Sequence, residues 1–177
     1  YLMGYIRLIH YVAAGVFVMT GLVRFYWLFA GNQFERLPAL FPVRKRDWVN
    51  LVTQVKYYLM IHPERAPHYI GHNPLQQLSY TTTYVVSIVV MLTGFAMYGQ
   101  AEPGGFFYTI TQPLTLAVGG IQVVRLVHHL CVWWFIIFPI MHIYLVIRKE
   151  VTERGGGLSG IINGGHYIRA DKQYVDE

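Results

Sequence analysis

Leu126 to Ile147 contains no Lys, Arg, Asp or Glu. A hydrocarbon core of about 30 Å needs about 20 apolar residues to cross it as a helix. Two more stretches meet that length, so the expected spans are about 5–30, 78–98 and 121–147. Composition agrees: 54% of the residues are apolar, only 13% are charged, and the charges cluster between the apolar runs. The chain is therefore expected to be all-α, a single transmembrane helical bundle over residues 1–177.

Charge placement orients the spans, because short loops rich in Lys and Arg stay on the cytoplasmic side. Segment 31–77 carries Arg36, Arg44, Lys45, Arg46, Lys56 and Arg65, while 99–120 carries no basic residue and one acid, Glu102. The tail 148–177 opens with Arg148 and Lys149. Loop 31–77 and the tail are expected in the cytoplasm, and loop 99–120 on the periplasmic side of a bacterial inner membrane. The net charge of +5 then reports topology. No basic helix or aromatic-basic platform points to nucleic acid.

With that orientation the first span runs outside to inside, so an inside-to-outside helix is expected to precede Tyr1. Maturation at Tyr1 by signal cleavage stands as the alternative. Between the first two spans, Trp48, Leu51, Val52, Val55, Tyr58 and Leu59 recur at helical spacing among polar residues. This predicts an amphipathic helix over 45–61 lying in the inner headgroup layer. Asn73-Pro74 predicts the start of the second span. The glycines at 155–157 and 164–165 predict an irregular tail.

Titratable side chains inside a membrane helix are costly without a partner. His10, His128 and His142 are such residues. His128 and His142 stand fourteen residues apart, which on a helix is about 21 Å of rise and a return to within about 40° of the same face. One helix is thus expected to carry a ligand for each of two stacked haems. His10 and His128 lie near the outer face and are expected to hold the iron of an outer haem; His142 is expected to hold that of an inner one. Two imidazoles on one iron give a centre suited to electron transfer. His129 competes with His128, but thirteen residues from His142 place it about 140° away on the helix. Ordinary buried histidines bonded to backbone carbonyls are the alternative for the whole set.

Arg7 and Arg125 each precede a proposed ligand by three residues, and Arg24 lies fourteen beyond His10. All three are assigned to haem propionates, which take charge-assisted hydrogen bonds from guanidinium groups; snorkelling at a helix end is the plainer reading of Arg7 and Arg125. The inner haem has no second ligand here except, at the membrane edge, His72; His62, His68 and His166 fall in cytoplasmic segments, and the expected preceding helix would supply a ligand more naturally. Gly15, Gly21 and Gly94 allow a helix or a flat cofactor to approach. The single Cys131 excludes an intramolecular disulfide, and the absence of a CxxCH motif excludes covalent haem attachment. Any haem is therefore b-type.

The segments MGYIRLIH at 3–10, IGHNPL at 70–75 and LTGFAMY at 92–98, with the His128 to His142 spacing and IING at 161–164, resemble the cytochrome b subunit of membrane-bound nickel-iron uptake hydrogenases. The resemblance runs from the first residues into the tail. It implies four transmembrane helices, two b haems, partnership with the hydrogenase small and large subunits, and reduction of a quinone. Hydrogen oxidation would belong to the partners. The fourteen-residue spacing alone is shared with formate dehydrogenase and thiosulfate reductase membrane subunits, so a cytochrome serving a formate dehydrogenase is the first rival. A non-redox membrane anchor or transporter subunit is the second; against it, the three spans contain no acidic residue for a proton relay.

Overall fold

The computed structural model describes residues 1–32, 36, 40, 45–61, 68–69, 72–153, 158, 160, 162 and 164. Arg44, His62, Arg65, Ile70, Gly71, the glycines at 155–157 and His166 lie outside them. Five helices are defined: α1 Leu2–Ala30, α2 Lys45–Tyr58, α3 Pro74–Gly99, α4 Phe106–Ala117 and α5 Ile121–Glu153. Helices α1, α3 and α5 are long and apolar enough to cross a membrane. The all-α expectation holds; the first span starts three residues earlier than expected, the second is longer at both ends, and the third runs six residues further at its C-terminal end.

The side chains of α1 are apolar nearly all round and none is buried. Leu2, Val12, Leu22 and Phe29 are all more than half exposed. Such a surface is stable only where the surroundings are as apolar as the side chains. Helix α3 begins at Pro74 directly after Asn73, as the sequence predicts, because a proline in the first turn forfeits no helical hydrogen bond. Two of its hydroxyls are satisfied within the helix, Thr82 donating to the Leu78 carbonyl and Thr83 to that of Ser79, each at 2.8 Å, while Thr81 donates to the Leu40 carbonyl at 2.8 Å. That back-bonding keeps polar groups tolerable at membrane depth.

The chain divides into two compact units: 1–43 with 76–131, and 44–75 with 132–177. In the first, α1 and α3 run antiparallel, since Arg24 meets Tyr84 while Tyr11 meets Tyr98. Segment 99–120 is not merely a loop. It folds into α4, which returns against the end of α3 through Phe95 stacked on Phe107, with centroids 5.2 Å apart and planes at 4°. Gly119 then ends α4 at φ +104°, a conformation that favours glycine.

In the second unit α2 realises the expected amphipathic helix and stops at Tyr58. Its end is a Schellman turn: Met60 N–H donates to the Tyr57 carbonyl and Ile61 N–H to that of Lys56, both at 3.0 Å. Met60 takes the left-handed φ of 60°. Arg148 of α5 completes the cap, donating to the carbonyls of Tyr57 and Tyr58 and lying over both rings at 5.6 and 5.5 Å. A cation here meets the negative end of the α2 dipole. Removing it in Arg148→Ala leaves part-buried carbonyls without that donor, a loss of about 1–3 kcal/mol. We expect faster proteolysis within 45–61 in the folded protein, whereas Arg7→Ala, on an exposed helix surface, should leave that rate unchanged.

Candidate functional site

Within the first unit α1, α3 and α5 bring three residues together. His10 of α1 and His128 of α5 face each other with ring centroids 6.2 Å apart and planes at 79°. Thr93 of α3 stands beside them, its Oγ1 3.0 Å from His128 Nδ1. Gly94 gives the ring room, since a Cβ there would lie 3.3 Å from His128 Cε1. His128 is half-buried while His10 is exposed at the helix surface.

The spacing of the two imidazoles limits what they can share. Two metal–nitrogen bonds of about 2 Å plus two ring radii of about 1 Å make about 6 Å, close to the 6.2 Å observed. A bare ion would also need further protein ligands, usually four in all. Among the described residues no group of three or more His, Cys, Asp or Glu could hold one. An iron that brings its own planar ring of nitrogens needs only two axial imidazoles. The donor set thus fits haem better than a bare metal ion.

His129 is placed differently. Its Nδ1 lies 2.7 Å from the carbonyl of Arg125, one turn back on its own helix. That is the ordinary arrangement of a helical histidine, the alternative the sequence leaves open for every member of the set. His142 lies in the second unit, exposed, with its ring stacked on Phe138 at 5.7 Å and 25°, and Phe138 in turn on Trp134 at 5.6 Å and 17°. This aromatic ladder at four-residue spacing restricts the imidazole's rotation.

The arginines separate in character. Arg7 and Arg125 are exposed, each one turn before a histidine, and Arg125 also donates to Gln122 Oε1 at 3.2 Å. Arg24 is half-buried and committed to α3: its Nε donates to Tyr84 Oη at 2.6 Å, and its guanidinium lies 5.5 Å from the ring centroid. Sequence reasoning found the arginine and missed its tyrosine partner sixty residues away.

Of the three small residues singled out in the spans, Gly94 meets the His128 ring and Gly21 packs on Met91, while Gly15 has nothing within 4 Å. Thr93 was missed altogether. The signal available was a hydroxyl next to a glycine inside an apolar run, which marks a close helix approach without saying what approaches.

Comparison with known proteins places the chain among cytochromes. A protein of Azotobacter vinelandii named as a probable Ni/Fe-hydrogenase B-type cytochrome subunit is 37% identical, over 97% of this chain and 72% of its own length. One of the same name from Cupriavidus necator is 35% identical over 93% of this chain and 68% of its own length. A probable Ni/Fe-hydrogenase 1 B-type cytochrome subunit of Escherichia coli is 32% identical over 92% and 70%. Residues 1–164 match the family model described as prokaryotic cytochrome b561, and together with the relatives this match makes the chain a member of that family.

Proposed function

We propose that this chain is the b-type cytochrome subunit of a membrane-bound nickel-iron hydrogenase, relaying electrons from the periplasmic hydrogenase subunits to the quinone pool of a bacterial inner membrane. The observation that carries the reading is the pair of imidazoles, His10 and His128, presented by two membrane-type helices at a separation one iron can bridge. Haem b bound between them supplies one-electron exchange with little change in its surroundings.

The residues divide the work. His10 and His128 would hold the iron of an outer haem. Arg7 and Arg125 stand one turn away on the same helices, where guanidinium groups pair with the carboxylates of the cofactor. His142, fixed by Phe138, offers one ligand for a second iron about four turns further along α5. The bond from Arg24 to Tyr84 keeps that guanidinium paired inside the span. Basic segment 31–77 faces the cytoplasm, and α2 lies in the headgroup layer. Its exposed Trp48, Val52 and Val55 support that placement. Helix α4 and the outer ends of the spans face the hydrogenase.

A visible spectrum of the purified protein should show a reducible b-type haem, and hydrogen added to membranes should reduce it only when the nickel-iron subunits are present. Absence of the haem spectrum would end the proposal. Reduction by formate and not by hydrogen would reassign the partner.

A further inference from the structure

Thr93 has no place in the relay described above, yet its hydroxyl reaches His128 from α3, beside the Val90 backbone, which also bonds to that ring. Its hydroxyl oxygen lies 2.7 Å from the Val89 carbonyl and 3.1 Å from that of Val90, and 3.0 Å from His128 Nδ1. Carbonyls only accept, so the single hydroxyl proton goes to the α3 backbone. The remaining lone pairs of Oγ1 then face Nδ1, which must carry a proton to donate there. A neutral imidazole protonated at Nδ1 has its lone pair on Nε2, the form a metal needs.

We propose that Thr93 is a positioning residue for the cofactor, passing the α3 backbone's demand for a proton to His128 and so fixing both the tautomer and the orientation of this ligand. The inference rests on the reading of His128 as a haem ligand. Gly94 makes the contact possible: with a Cβ 3.3 Å from Cε1, any larger residue would press on the imidazole that Thr93 has to reach. His129 instead donates to the Arg125 carbonyl of its own helix.

Acceptance of the Nδ1 proton by Thr93 makes the imidazole a better electron donor, which favours ferric over ferrous iron. Thr93→Val keeps the shape and removes the acceptor. In the full-length cytochrome, with its hydrogenase in membranes, this variant should raise the midpoint potential of one haem, shift the low-spin electron paramagnetic resonance of the same haem, and weaken its retention about 10–100-fold. Thr93→Ser, which restores a hydroxyl, should return the potential and the resonance toward wild type. If Thr93→Val leaves potential, resonance and haem content unchanged while His128→Ala loses a haem, the proposal is overturned. It is equally overturned if Thr93→Ser inserts normally and behaves as Thr93→Val does. Full haem retention in His128→Ala would instead overturn the underlying ligand reading.

Discussion

Replacing either His10 or His128 by Ala should remove one b haem from the protein and reduce hydrogen-dependent quinone reduction to the level of membranes lacking the cytochrome. The two rings stand at 6.2 Å, and the neighbouring imidazole, His129, has its centroid 6.4 Å from that of His128 without forming a group of three that could hold one metal ion among the described residues. His129 cannot replace His128 without giving up its bond to the Arg125 carbonyl and turning about 100° around the helix. His142→Ala should behave differently, because fourteen residues, about four turns of α5, separate it from His128. It should spare the haem held by His10 and His128. Haem-to-protein ratios of the three variants, with insertion checked by yield in washed membranes, decide the matter. Loss of all haem in His142→Ala with normal insertion would break the assigned pairing.

Residues whose role depends on helical period were legible in the sequence, because period is a local property. His128 and His142 occur on one continuous helix, α5, as their apolar setting requires, and Pro74 opens α3 where Asn73-Pro74 predicted. Helix α4 was not legible as a helix. Its only charge signal was the absence of basic residues, and Pro113 inside it reads as a breaker when the neighbours that tolerate it are unknown. The partners of Arg24, Arg148 and His128 were hidden for a different reason. Tyr84, Tyr58 and Thr93 stand 60, 90 and 35 residues away in sequence, so packing alone brings them together. Where a histidine sits was readable from the chain; what tunes it was not.

Gly99→Ala, a change of one methyl group, should be among the most destabilising small substitutions in this cytochrome. Gly99 ends α3, and the first turns of α4 pass directly over it. A Cβ there would lie 2.7 Å from Tyr108 N, 2.9 Å from the Phe107 carbonyl carbon and 3.0 Å from Tyr108 Cα. All three are backbone atoms, so no rotamer change relieves the clash and α4 must move away. That movement pulls Phe107 from its stack on Phe95 and from its edge contact with Tyr98 at 5.5 Å. Overpacking costs about 1–3 kcal/mol and a lost aromatic pair about 1 kcal/mol more. For a chain of this size each kcal/mol lowers the melting midpoint by about 2–4 °C, so a fall of about 5–15 °C is expected. Gly15→Ala is the matching control, since nothing lies within 4 Å of its added methyl. Alanine inside a helix should there leave the midpoint unchanged or raise it slightly. Equal midpoints for Gly99→Ala and wild type would show that α4 does not rest on α3 at this point. A fall confined to Gly99→Ala, with the haem spectrum retained, would assign the loss to the α3–α4 contact and leave the His10 and His128 pair intact.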